Sequence, residues 1–187
     1  MMDPLLELTV AWALATLFAA STAHKLGALA EWPGVVRNYR LLPERLTTIF
    51  AGTLLLAGAL TAAALLWPAT RHIGAYAAAA QLVVFAAAMA INLRRGRTSI
   101  DCGCFGSRLR QAISAWMVAR NLVLALLALS LLLPATPREL TALDLATALA
   151  VVATLSFLYP VLAVVLRPPP ATFAENFGAS SAARQAH

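Results

Sequence analysis

The chain has 187 residues, of which 61% are hydrophobic and 12% charged, with a formal net charge of +6. A soluble domain averages roughly half apolar and a quarter charged, so water is not its main solvent, and the apolar residues fall in runs of the roughly 20 residues that cross hydrocarbon as a helix. The arginines are scattered between those runs and build no basic stripe with interleaved aromatics, which argues against nucleic acid and for a topological role.

Met1-Met2-Asp3-Pro4 lacks the positive stretch of a secretory signal, and no clear small-residue cleavage site precedes His24-Lys25, so the first helix is expected to be retained. The first span is predicted over 5–23, with Glu7 near its outer end. It stops where Ser21, Thr22, His24 and Lys25 make staying in lipid costly. The connector that follows places Val35, Val36, Tyr39 and Leu42 at helical spacing with Arg37, Asn38 and Arg40 between them, the pattern of a short helix lying in the interface or packing on the core.

The second span is predicted over 48–67, where Trp67-Pro68 ends it with an interfacial aromatic and a residue that cannot continue a helix. The third, over 73–93, carries Gln81 and Asn92 and is stopped by Arg94-Arg95-Gly96-Arg97. The fourth, over 113–133, holds Arg120-Asn121, and the fifth, over 145–166, ends before Arg167-Pro168-Pro169-Pro170. Lipid offers no partners to backbone N–H and C=O groups, and alternating strands of about ten residues are absent, so the spans must be helices. The expected fold class is therefore all-α: a transmembrane helical domain over 1–167 with about five spans, then a disordered Ala/Ser-rich tail over 168–187.

Lys25, Arg37, Arg40, Arg45, Arg94, Arg95, Arg97, Arg108, Arg110, Arg167 and Arg184 fall on one side of this topology, against Arg71 and Arg138 on the other. The bias places the amino terminus outside and the loop between the third and fourth spans at the cytoplasmic face.

That loop contains both cysteines of the chain, in Asp101-Cys102-Gly103-Cys104-Phe105-Gly106. Two thiolates fall short of the four ligands structural zinc prefers, so no metal site is expected there, although soft thiolates leave copper(I) as a rival. Residues two apart can bring their Cα atoms to about 5.5 Å, within disulfide range, and the central glycine removes the Cβ clash of so tight a turn. A small strained disulfide is oxidising and belongs with the labile, catalytic class. Arg94, Arg95, Arg97 and Arg108 supply positive charge that favours thiolate, and Asp101 opposes them. Cys102 and Cys104 are therefore the candidate reactive pair.

Depth along the helices brings further polar groups to the same end. His24 and Lys25 close the first span and Asn92 the third, and Arg120 lies about two turns into the fourth with Trp116 one turn before it, at cation–π spacing. His24 is either an interface marker or a proton-handling group. Asn92 and Asn121 are expected to make interhelical hydrogen bonds. No Walker loop, dinucleotide fingerprint, HExxH or nucleophile elbow is present.

His24-Lys25, Tyr39-Arg40-Leu41-Leu42-Pro43, Ile91-Asn92-Leu93 with Arg95-Gly96-Arg97, the CGCFG core and Arg120-Asn121 together resemble the MauE family of methylamine-utilisation membrane proteins, grouped with DoxX-like membrane proteins. The resemblance covers about residues 20–125. It implies a multi-pass protein of the bacterial inner membrane, needed to mature the disulfide-rich small subunit of methylamine dehydrogenase. It also implies a thioredoxin-like periplasmic partner of the MauD type with its client, and a helical bundle similar to quinone-linked disulfide-forming proteins and the vitamin K epoxide reductase type. Cys102 and Cys104 would be the exchanging thiols. Those proteins use CxxC with further cysteines, whereas this chain has CxC and no second pair, so a shuttle pair toward quinone would have to come from a partner. The competing readings are a non-enzymatic membrane assembly or scaffold factor, and a copper or small-solute transporter in which Gln81 would be the mid-membrane polar group.

Overall fold

In the computed structural model, residues 2–98, 100, 113–134, 136 and 138–165 are described, with side chains to Leu158. The chain divides into two units, Met1–Ser156 and Phe157–His187. The described residues are all-α: α1 (Pro4–Leu26), α2 (Trp32–Asn38), α3 (Glu44–Leu66), a 3-10 turn (Pro68–Thr70), α4 (Arg71–Arg94), α5 (Ala115–Ser130) and α6 (Ala142–Val165). The expected tail over 168–187 lies outside the described residues.

Local chemistry sets the boundaries. Asp3 caps α1 by accepting the Leu5 N–H at 2.8 Å, and Pro4 fills the first turn, where a missing N–H costs nothing. The connector helix is shorter than its apolar spacing suggests, because Arg40 adopts φ 48°, a left-handed conformation that no helix continues through. Leu42, expected on the face of that helix, therefore lies beyond it and is exposed. Helix α3 begins at Glu44, ahead of its apolar run, since Pro43 enters with extended ψ and an acid is favoured in a first helical turn. Thr141 and Asp144 form a reciprocal cap at α6, the Thr141 N–H donating to Asp144 Oδ2 at 2.9 Å and the Asp144 N–H to Thr141 Oγ1 at 3.3 Å.

Among the described residues, three helical stretches are long and apolar enough to cross a membrane: Pro4–Leu26, Glu44–Leu66 and Pro68–Arg94. Ala115–Ser130 and Ala142–Leu158 are shorter apolar helices. Helix α1 packs on α3, α3 on α4, and α4 on α5, while α5 returns more lightly to α1. The joint between α3 and α4 is close because Gly74 has no side chain: a Cβ there would stand 2.8 Å from the Leu65 backbone nitrogen.

The interior is built mainly of small residues and the exterior of large apolar ones. Ala11, Ala15, Ala62, Ala75, Ala78, Ala125 and Ala128 are buried with Leu14, Phe18 and Leu65, whereas Ile49, Leu56, Leu126 and Phe157 are exposed. In water such a surface would aggregate; in lipid, small residues between helices are what allow close packing. Outward hydroxyls are satisfied within their own helices, with Thr16, Thr53, Thr147, Thr154 and Ser156 each donating to the carbonyl four residues back at 2.7–3.0 Å. A hydroxyl facing hydrocarbon has no other partner. The chain is a multi-pass membrane protein.

Candidate functional site

The polar groups expected to converge fall at one end of the helices, where α1 and α4 finish, α3 and α5 begin, and α2 crosses. Lys25, in the last turn of α1, is only 7% exposed. Its ammonium donates to Ser21 Oγ at 2.8 Å and lies 4.9 Å from the Trp32 ring centre and 5.5 Å from that of Phe85. Two aromatic faces and a hydroxyl make a buried cation tolerable. Trp32 is itself fixed, donating from Nε1 to the Ala51 carbonyl at 2.9 Å, so α2 is keyed into α3 and the ring below the ammonium cannot drift.

His24, one residue earlier, is exposed, because adjacent helical positions point about 100° apart and only Lys25 faces inward. The structure separates this pair, which sequence depth had grouped.

Asn92 is completely buried in the last turns of α4. Its Nδ2 donates to the Ala88 carbonyl at 3.0 Å and its Oδ1 accepts from Arg97 Nη1 at 3.1 Å. Arg97 also donates through Nη2 to the Asn38 carbonyl at 3.0 Å, and Arg95 through Nη1 to the Arg40 carbonyl at 3.4 Å. The expected interhelical bond of Asn92 is thus replaced by a relay: Asn92 orients Arg97, and Arg97 caps the end of α2, where unpaired carbonyls favour a cation.

Next to this relay, Met89, Ile100, Ile113 and Met117 form a buried cluster, with Tyr39, Phe85, Leu93 and Val118 packed on it. Phe85 therefore joins the cluster to the Lys25 cage. Ile113 donates its N–H to the Ile100 carbonyl at 3.0 Å. The two strands of chain that leave for residues 101–112 are thereby tied together and seated on the two methionines.

Asp101, Cys102 and Cys104 lie outside the described residues. Arg120 is half-buried and Trp116 faces outward. Asn121 is 3% exposed, one turn beyond Met117 on the inward face of α5, and its Nδ2 has no hydrogen-bond partner among the described residues. Gln81 is committed to helix packing: its Nε2 donates to Thr61 Oγ1 at 2.6 Å and reaches the Ala57 carbonyl at 3.4 Å. Gln81, the main candidate of the transporter reading, thus ties α4 to α3. Sequence reasoning passed over Trp32, Phe85, Met89 and Met117. The available signals were an aromatic seven residues after a helix-ending lysine, and methionines among alanines at inward positions.

Comparison with known proteins came to one family. The family model described as methylamine utilisation protein MauE matches residues 3–134, which takes in α1 to α5 and stops before α6. The chain is similar to methylamine utilization protein MauE of Paracoccus denitrificans, 46% identical over 148 residues covering 75% of this chain and 80% of that one. It is 45% identical to the protein of that name from Paracoccus versutus over 159 residues, 84% and 85% of the two chains. With that of Methylophilus methylotrophus it shares 37% identity over 161 residues, 84% of each. No solved structure matches.

Proposed function

The chain belongs to the MauE family, as a multi-pass protein of the bacterial inner membrane, and from that premise we propose that it is a thiol–disulfide exchange protein serving methylamine utilisation, with Cys102 and Cys104 as its reactive pair. In this reading α5 and α6 complete five spans, and the client is an exported disulfide-containing protein such as the small subunit of methylamine dehydrogenase. A thioredoxin-like protein is the immediate partner; because the charge bias puts the loop at the cytoplasmic face, the pair either carries reducing equivalents outward to it or is reached from the other side through the bundle.

The observation that carries the reading is the tie between Ile100 and Ile113. Two peptide units extend at most about 7 Å, so Cys102 stays within that reach of a buried anchor in the Met89–Met117 cluster. Anchored chain ends on either side of the thiol-bearing segment favour a productive encounter with a visiting disulfide, since exchange requires in-line approach of one sulfur to another.

The chemistry balances without a metal. One cysteine thiolate attacks a sulfur of the partner's disulfide, forming a mixed disulfide and expelling the partner's second sulfur as thiolate. The other cysteine then attacks the mixed disulfide, releasing the partner as a dithiol and leaving Cys102 and Cys104 oxidised. Two electrons pass to the partner, and a second dithiol, or a quinol through a partner's shuttle pair, restores the thiols. The reverse sequence oxidises the partner.

Differential alkylation in intact cells tests this. A permeant and an impermeant thiol reagent should report a pair that alternates between reduced and oxidised forms, and a mixed disulfide should accumulate when the resolving cysteine, but not the attacking one, is replaced by serine. A pair that stays fully reduced under oxidant, with no trapped partner in Cys102→Ser or Cys104→Ser, would leave the assembly-factor reading in its place.

A further inference from the structure

We propose that the connector between α1 and α3, together with the end of α4, is a docking surface for the phosphodiester headgroups of acidic phospholipid. The two ends of the molecule treat their arginines differently. At one end Arg71 pairs with Glu7 at 2.7 Å, and Arg138 with Asp144 at 2.8 Å and Asp3 at 3.8 Å. At the other end Arg37, Arg40, Arg45, Arg94 and Arg95 are all exposed, and among the described residues none of them has a carboxylate partner. Glu31 and Glu44 lie in the same stretch of chain and are not used.

These cations are drawn together by the backbone. The Arg40 N–H donates to the Arg37 carbonyl at 3.0 Å, and the Arg95 guanidinium reaches the Arg40 carbonyl at 3.4 Å. The left-handed turn at Arg40 folds the chain back there, and Arg97 holds the end of α2 in place. Like charges gathered at one elbow repel one another, and a multivalent anion relieves that cost. Guanidinium forks match phosphate oxygens in geometry as well as charge. Leu41 and Leu42, directly after Arg40, are exposed, as are Leu46 in the first turn of α3 and Leu26 and Leu29 where the connector begins, so a headgroup bound there carries its acyl chains onto apolar surface. A soluble anion would leave those leucines uncovered, which is why a lipid fits better than free phosphate.

Thermal unfolding of the full chain in detergent, with lipid added, decides the matter. Phosphatidylglycerol should raise the midpoint where phosphatidylcholine at equal concentration does not, and inorganic phosphate should fail to substitute. The combined variant Arg37→Gln, Arg40→Gln, Arg95→Gln should bind phosphatidylglycerol at least about tenfold more weakly, each arginine near an anionic leaflet being worth about fivefold. Arg138→Gln, at the far end, should bind as the parent does. Should the triple variant fail to fold, Arg37→Gln with Arg45→Gln, neither of which makes a described hydrogen bond to another element, takes its place. High salt should erase the preference. Equal response to both lipids, full binding by the variants, or reproduction of the effect by phosphate or a soluble acidic peptide would overturn the assignment.

Discussion

Replacing Asn92 by leucine should loosen the end of the molecule that carries the cysteine segment, by an amount the hydrogen bonds allow to be worked out. Asn92 makes two bonds. The one to Ala88 is worth little, because that carbonyl already belongs to the α4 ladder. The one from Arg97 is charge-assisted and 3.1 Å long, and its acceptor is fully buried. Hydrogen bonds to charged groups contribute about 1.5–3 kcal/mol in soluble proteins, whereas side-chain bonds measured inside membranes average about 0.6 and reach about 1.7 kcal/mol. Arg97 is only partly buried, so water offsets some of its loss, and about 1–2 kcal/mol is expected for Asn92→Leu. Arg97→Leu also forfeits the bond to Asn38 and should cost more, about 2–3 kcal/mol. The relay predicts that the double variant is scarcely less stable than Arg97→Leu alone, a coupling equal in size to the Asn92→Leu loss, about 1–2 kcal/mol. Equilibrium unfolding of the four proteins in mild detergent measures it. Strictly additive losses, or a stabilised Asn92→Leu, would refute the relay.

Gly74→Ala should cost about 1–3 kcal/mol, since its Cβ would meet backbone atoms of Leu65 and Ala64 at 2.8 and 3.0 Å and α4 would have to move off α3. Gly58→Ala meets only the Thr22 hydroxyl, at 2.9 Å, which can rotate away, so its loss should stay below about 1 kcal/mol and be offset by alanine's helix propensity. Trp32→Phe keeps a ring beneath Lys25 but abandons the bond to Ala51, and unfolding should report a loss of about 1 kcal/mol. Glu7→Gln removes the charge opposite Arg71 from a pair whose side chains are 21% and 12% exposed, and should lower stability by about 1–3 kcal/mol.

Much of the helical layout could be read from the chain because one physical requirement, backbone satisfaction in lipid, leaves helices as the only use for its apolar runs. Breaks at Trp67-Pro68 and after Arg94 were legible for the same reason, as residues that stop a helix or resist hydrocarbon. What could not be read is which way polar side chains turn. His24 and Lys25 are adjacent and look alike in depth, and the choice between them is made by Trp32 and Phe85, the latter 60 residues away. Asn92 looked like a link between helices; its partner is instead Arg97, brought back by the turn at Gly96, where φ is 71°. The length of α2 depended on the left-handed turn at Arg40, a conformation arginine rarely adopts and no periodicity foretells. The proposed reactive pair was the easiest part to single out, since the chain has two cysteines and places both in one tripeptide, which lies outside the described residues.

The proposal that those two sulfurs exchange disulfides is tested most directly by the disulfide content of the exported client in cells carrying Cys102→Ser with Cys104→Ser, expressed at the parent's level in the membrane. The client should accumulate with free thiols or wrong pairings, at a small fraction of its normal yield. A client that matures fully beside the doubly substituted protein would contradict the account.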